Sequence, residues 1–189
     1  MAYPLQIEID YQEKRSRLTT FLRILLVIPH IIALAVLEFV AFFAVIVAWF
    51  ALLFTARWPQ GIYDFVFGVY QYYARVYGYL YLLVDPYPRF TIEADPSYPV
   101  RVLMTPPDQY SRLKVLLRIL YVIPAYIIAY VIGLVLSVVI FVDWIVIVIL
   151  GRQPEGLQDV SRFCFTYLVR VQALFILITE TYPPFSETA

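Results

Sequence analysis

Small and polar residues recur at helical spacing along one segment of the chain. Five of them follow at steps of four, three, four and three: Asp64, Gly68, Gln71, Arg75 and Gly78. This spacing places them in one stripe on one face of a helix. In a membrane, such a stripe allows a helix to pack closely against a neighbour and to hydrogen-bond with it. We interpret the stripe as structural, while Arg75 as the lining of a path or as an anion-binding group is the alternative.

A second copy of the stripe lies further along the chain. Asp159 and Arg170 match Asp64 and Arg75 at an offset of 95 residues. The preferred interpretation is again structural, with the arginines paired to acids or extended to the headgroups.

The turn before each stripe has the most specific local pattern. It reads Arg57-x-Pro-x-Gly-x-x-Asp64 in the first copy and runs from Arg152 to Asp159 in the second. Proline and glycine shape a turn, and an aspartate in the first turn of a helix is favoured by the helix dipole. We predict that the arginine closes a salt bridge over the turn; a ligand site is the alternative.

Two acids interrupt the long apolar segments. Glu38 and Asp143 are not equivalent, because Gly133 and Ala48 stand at the matching positions. If the two helices of each hairpin are antiparallel, the Arg75 side chain can reach the depth in the membrane at which Glu38 lies, and Arg170 can similarly approach Asp143. Buried pairing is the preferred interpretation, and a proton relay is the alternative.

No residue set assembles into a recognisable active site. His30 stands alone, with Ala125 at its equivalent position, so we interpret it as a hydrogen-bonding residue at the membrane interface, although an axial tetrapyrrole ligand needs only one histidine. Cys164 is the single cysteine, and we expect it to pack. The sequence predicts no catalytic residue, no metal site and no cofactor.

The composition identifies the environment of these residues. Of 189 residues, 62% are hydrophobic and only 15% are charged, against about 45–50% and about 25% in an ordinary soluble domain. Too few polar residues remain to cover the surface of a soluble globular fold, so this excess argues against one. The 14 basic and 14 acidic residues balance, which argues against a nucleic-acid partner.

The constant offset of 95 residues divides the chain into two tandem membrane modules, 1–94 and 95–189. Each is predicted to hold a strand segment, an interfacial amphipathic helix and a hairpin of two transmembrane helices, with Pro29 or Pro124 breaking or kinking the chain after the amphipathic helix. Alternation of apolar and polar residues predicts strands at 5–11, 90–94 and 100–102. The four transmembrane helices are predicted at 30–55, 62–84, 126–150 and 157–178. The fold class is therefore an all-α membrane protein of two helical-hairpin repeats with a small β element.

An even number of spans in each module places both amphipathic helices and the β element on one side of the membrane. Most arginines and lysines then gather on that side, which the positive-inside rule makes cytoplasmic. We therefore predict a multi-pass protein of the cell membrane with both termini in the cytoplasm. The two modules would be related by an axis along the membrane normal.

Several of these motifs together resemble one family. In the first module they are Leu25 to His30, Phe54 to Phe65 and Asp85 to Phe90. The second module keeps much of the pattern but has Ala125 for His, Gln153 for Trp and Glu180 for Asp. The chain is similar to two copies of the domain-of-unknown-function 4389 family of prokaryotic membrane proteins. The resemblance implies an integral membrane protein and supplies no mechanism.

The function that these features favour is not enzymatic. We expect a scaffold or accessory subunit that contacts the lipid bilayer and other membrane protein subunits. The alternative is a small transporter or pore whose pathway follows the interface between the repeats.

Overall fold

The computed structural model describes residues 3–185, which form five helices and two short strands. In chain order these are β1 (Leu5–Ile9), α1 (Arg17–Thr55), α2 (Gln60–Leu80), β2 (Val100–Met104), α3 (Arg112–Leu116), α4 (Arg118–Leu150) and α5 (Glu155–Phe175).

Helices α1 and α4 are the long apolar elements of the two repeats. The Ser16 hydroxyl caps α1 by accepting from the Thr19 amide, and both helices end in the left-handed region, at Ala56 and Gly151. Helix α1 continues through Pro29, so the prediction of a separate amphipathic helix before it is wrong. Val27 and His30 are both buried, and this packing holds the helix together across the missing proline N–H.

In the second repeat, only the five-residue α3 stands apart from the long helix. Helix α4 begins at Arg118 and continues through Pro124. Here too the helix does not end at the proline, because Val122 and Ala125 on either side of it are buried.

Two helices within residues 3–185, α1 and α4, are long and apolar enough to cross a membrane. The prediction of four transmembrane helices is therefore not supported. Helices α2 and α5 are less apolar than α1 and α4, and about half of the residues of each are buried inside the protein, including Tyr72, Tyr79 and Phe165.

The two strands come from different repeats. Strand β1 pairs antiparallel with β2, and Ile7 lies opposite Val102, its equivalent at the offset of 95 residues. A pseudo-twofold axis therefore passes through the middle of the sheet. The strand predicted at 90–94 is irregular chain.

The long helices run antiparallel to each other. The start of α1 lies beside the end of α4, where the Arg15 amide donates to the Gly151 carbonyl at 3.0 Å. At the opposite end, the Tyr110 amide donates to the Ala56 carbonyl at 2.9 Å. The predicted parallel relation of the two modules is therefore wrong, because the pseudo-twofold axis lies perpendicular to the long helices and turns one module end for end relative to the other. The starts of the two modules lie at opposite ends of the long helices, so the basic residues near those starts do not gather at one end of the molecule.

The elements stack in three layers. Helices α1 and α4 form the first layer and pack on α2 and α5, which form the second and contact the sheet. The shared core contains residues of both repeats, among them Tyr70, Val100, Phe165 and Ala173.

Candidate functional site

The outer side of the α1 and α4 layer is a large apolar surface. We call it the apolar face. Its residues are aliphatic and aromatic along both helices, and most are more than half exposed. On α1 they include Leu18, Phe21, Ile24, Leu25, Ile32, Val36, Phe39, Phe42, Phe43, Phe50 and Phe54. Soluble monomers rarely expose an apolar patch of this extent, so the face marks a contact with lipid or with other apolar helices.

The opposite side of the molecule is polar. We call it the polar side; it consists of the sheet and the segment 85–110. Arg101 donates to Glu8 Oε2 at 2.9 Å and to Asp10 Oδ1 at 2.8 Å across the two strands. The hydrogen bond from Arg101 lowers the pKa of Asp10 below its ordinary value. The polar side is thus a charged surface on which Arg101 pairs with two acids.

The predicted stripe on α2 packs against the polar side. Arg75 donates to the carbonyl oxygens of Thr91 at 2.6 Å and Glu93 at 2.8 Å, and Gln71 donates to that of Val102 at 3.1 Å. Gly68 lies under the Ile92 backbone so closely that a Cβ there would be 2.7 Å from its carbonyl oxygen. The stripe therefore packs on the irregular segment 91–93 and on strand β2, and not on another helix.

Arg170 occupies the equivalent position on α5. Its guanidinium donates to the Pro184 carbonyl at 3.4 Å and lies 4.9 Å from the centre of the Tyr3 ring. The structure contains no ion pair between Arg75 and Glu38 or between Arg170 and Asp143, all four of which lie within the described chain. The preferred pairing of these groups is wrong, because backbone carbonyls take their place.

Asp143 belongs to a buried network that joins the two repeats. Its carboxylate accepts from Gln153 Nε2 at 2.9 Å and from Ser161 Oγ at 3.2 Å. Arg15 donates to Gln153 Oε1 at 2.8 Å and to the Leu83 carbonyl at 2.7 Å. Burial lowers the pKa of Arg15 to about 10, so the guanidinium still carries its charge at neutral pH.

Glu38 is exposed at the edge of the apolar face. It lines a groove of about 210 Å³ together with Tyr73, Gln172 and Phe175. The groove holds one acid beside polar groups of two other helices and contains no second acid or base among its lining residues.

The arginines and aspartates of the turns do not bond to each other. Asp64 accepts from Gln60 at 2.8 Å, and Asp159 pairs with Arg162 at 3.2 Å. The predicted salt bridge over the turn is therefore wrong, because each aspartate has a nearer partner on its own helix. Arg57 is exposed, and Arg152 approaches Glu13 at 4.0 Å.

His30 is completely buried among aromatic rings. Its Nδ1 lies 2.6 Å from the Tyr72 hydroxyl, and its ring stacks on Phe90 with 3.9 Å between the ring centres. It is therefore a core residue of the first repeat. Cys164 is buried too.

Sequence reasoning missed a buried ion pair. Arg23 donates to the carbonyl oxygens of Tyr79 and Val84 and pairs with Asp85 at 2.6 Å, and Asp85 also accepts from the Ser16 amide. In the second repeat, Arg118 donates to the Thr179 carbonyl, and the Glu180 carboxylate accepts from the Ser111 amide. The sequence does contain a signal for this pair, since Arg118 and Glu180 match Arg23 and Asp85 at the offset of 95 residues.

Within residues 3–185 no group of three or more His, Cys, Asp or Glu side chains is placed to hold a metal ion. No curated protein and no solved structure matches the chain. The family described as domain of unknown function (DUF4389) matches residues 17–91 and residues 112–187. Together these matches cover most of both repeats, and their bounds begin at α1 and α3. The chain belongs to this family and carries two tandem copies of its domain.

Proposed function

We propose that this protein is a non-catalytic membrane scaffold or accessory subunit, which holds its polar side at the membrane surface for other membrane proteins. The apolar face carries this proposal. No element within residues 3–185 covers its side chains, which lie along both long helices, and transfer of such a surface from water to lipid is favourable by about 25 cal/mol per Å².

The packing between the repeats favours a scaffold over a transporter or pore. A pathway at this interface requires a continuous polar cavity. The groove beside Glu38 is instead lined mainly by apolar and aromatic residues, among them Val66 and Tyr70, and Phe165 and Val169 of the second repeat pack in the shared core. The Tyr70 hydroxyl also donates to the Val169 carbonyl across it at 2.6 Å.

We further propose that the protein lies in the cell membrane with its polar side and both termini toward the cytoplasm. Exposed basic residues at the ends of the long helices support this placement, since the cytoplasmic leaflet carries anionic lipids that attract them. They are Arg17, Arg57, Arg112, Lys114 and Arg152.

The contact with the membrane is tested by a matched pair of substitutions. Phe43 on the apolar face and Leu103 on the polar side are exposed to similar extents, 52% and 48%. We expect Phe43→Asp to weaken retention in the membrane fraction after a carbonate wash and Leu103→Asp to leave it unchanged. Equal retention of both variants would contradict the assignment of the apolar face.

The scaffold role requires a partner. Purification of the tagged chain from its native membranes in mild detergent, followed by mass spectrometry, should recover a defined membrane protein at constant stoichiometry. Recovery of the chain only as an isolated monomer would overturn the scaffold proposal.

A further inference from the structure

The geometry points to an in-plane arrangement: we infer that α1 and α4 lie parallel to the bilayer and immerse the apolar face in one leaflet, without crossing the membrane. This inference rests on the proposed contact of the apolar face with lipid and adds its orientation. The partner of the face is thus the hydrocarbon and headgroup region of a single leaflet.

The length of the apolar face does not fit a spanning helix. Exposed apolar residues extend from Leu18 to Phe54 on the first long helix and from Leu113 to Leu150 along α3 and α4. At 1.5 Å per residue each series is about 54 Å long, whereas the hydrocarbon core is about 30 Å thick. Even at a tilt of about 40°, the upper end of the usual range, the series would extend about 41 Å along the membrane normal.

The position of the sheet argues in the same direction. Gln71, in the middle of α2, donates to the carbonyl of Val102, in the middle of β2, so the sheet lies beside the middle of the helices. If α1 and α4 crossed the bilayer, the charges of Glu8, Asp10 and Arg101 would lie near its centre. Exposed charges and an open two-stranded sheet are both unfavourable at that depth.

An in-plane arrangement removes this conflict, because polarity changes across the helix layers and not along the helices. The apolar face then lies in lipid and the polar side lies in water. Exposed basic residues occur at both ends of the long helices, with Arg17 and Arg152 at one end and Arg57, Arg112 and Lys114 at the other. Both ends can therefore reach the headgroups of the same leaflet.

The two ends of the layer provide the test. Arg152 lies beside the start of α1 and Arg57 follows its end, so a spanning α1 places them on opposite sides of the membrane. In a Cys164→Ser background, single cysteines are introduced as Arg57→Cys, Arg152→Cys and, on the polar side, Glu8→Cys. A membrane-impermeant maleimide is then applied to intact cells and to inverted membrane vesicles. Thr55→Cys and Glu155→Cys, also exposed, serve the same ends if an arginine variant does not fold.

We expect all three cysteines to react from the same side, in inverted vesicles but not in intact cells. Ala35→Cys, which is exposed on α1, should stay unlabelled from both sides because lipid covers it. Labelling of positions 57 and 152 from opposite sides would overturn the in-plane inference while leaving the membrane scaffold intact. Recovery of the wild-type chain in the soluble fraction would instead overturn the proposed function.

Discussion

His30 and Ala125 stand at equivalent positions in the two repeats, and the tyrosines that face them have different environments. Tyr72 bonds to His30 Nδ1 at 2.6 Å. Its equivalent, Tyr167, is also buried, and its hydroxyl has no hydrogen-bond partner within residues 3–185. The two repeats thus supply an internal comparison between a satisfied and an unsatisfied buried hydroxyl.

We predict opposite consequences of removing these hydroxyls. Tyr72→Phe leaves a buried imidazole without its partner and should lower the free energy of unfolding by about 1–3 kcal/mol. Tyr167→Phe removes an unpaired group and should be neutral or slightly stabilising. Denaturant titration of both variants in detergent, followed by circular dichroism, measures the difference. Equal losses would show that the bond to His30 contributes nothing.

The buried pair of Arg23 and Asp85 allows a similar comparison. The carboxylate of Asp85 lies 2.6 Å from the guanidinium, whereas no ion pair joins Arg118 and Glu180 in the described chain. Asp85→Asn should therefore cost about 2–3 kcal/mol of unfolding free energy, near the lower limit for a broken buried pair because Asp85 is partly exposed. Glu180→Gln should cost about 1 kcal/mol, the value of its bond to the Ser111 amide.

The measurement is again the free energy of unfolding in detergent. Arg23→Lys serves as a control that keeps the positive charge but loses the forked geometry of the guanidinium. Its free energy of unfolding should lie between those of the wild type and of Asp85→Asn. A loss for Glu180→Gln as large as that for Asp85→Asn would contradict this assignment.

Among the elements, α2 depends on its glycines. A Cβ at Gly68 would meet the Ile92 carbonyl oxygen at 2.7 Å, which is backbone and cannot rotate away. Gly133 of α4 has open space around it. We predict that Gly68→Ala lowers the thermal midpoint of unfolding, with a cost of about 1–3 kcal/mol from overpacking. Gly133→Ala should raise it slightly, since alanine is favoured over glycine in a helix by about 1 kcal/mol. Stabilisation by both substitutions would mean that the 91–93 segment does not pack on α2.

The pairing of the strands should depend on pH. The bond from Arg101 lowers the pKa of Asp10 below its ordinary value of 3.8. Its contribution to stability is therefore complete above pH 3.8 and is lost as the pH falls through the lowered pKa. Arg101→Met should reduce stability at pH 7 by less than about 1 kcal/mol, because the pair is largely exposed. The difference between wild type and variant should narrow near pH 2.5, and a constant difference would exclude Asp10 as the partner.

The same elements show what could be predicted from the sequence. The alternation at 5–11 and the apolar run of α1 are local patterns, and they correspond to the strand Leu5–Ile9 and to a helix long enough to cross a membrane. The offset of 95 residues corresponds to the two matched copies of the family domain. The spans predicted for α2 and α5 are not supported, because among the described helices only α1 and α4 are apolar enough to cross a membrane, whereas α2 and α5 bury about half of their residues inside the protein. The sequence around Tyr72 does not indicate that its partner is a histidine, and the sequence around Arg75 does not indicate that its partners are two backbone carbonyls.

At the scale of the whole molecule, the two repeats depend on each other. Strand β1 of the first pairs with β2 of the second, and Arg15 joins Leu83 of its own repeat to Gln153 of the other. The predicted parallel relation between the two repeats is wrong. It was derived from a count of four membrane spans, and such a count does not say which distant segments contact each other. The observed axis, perpendicular to the helices, makes one whole side of the molecule apolar and the other polar.

This distribution predicts a uniform depth along the apolar face. Leu25, Phe43 and Phe54 are exposed on α1 at intervals of 18 and 11 residues, about five and three helical turns, so they point in nearly the same direction. We expect a bimane probe on cysteines at these positions, in the Cys164→Ser background, to be quenched most strongly by lipids with a nitroxide at one shared acyl depth. Helices that cross the bilayer would instead place the probe at position 43 deep and those at positions 25 and 54 shallow. A probe at Leu103→Cys, on the polar side, provides the control and should not be quenched by any acyl-chain nitroxide.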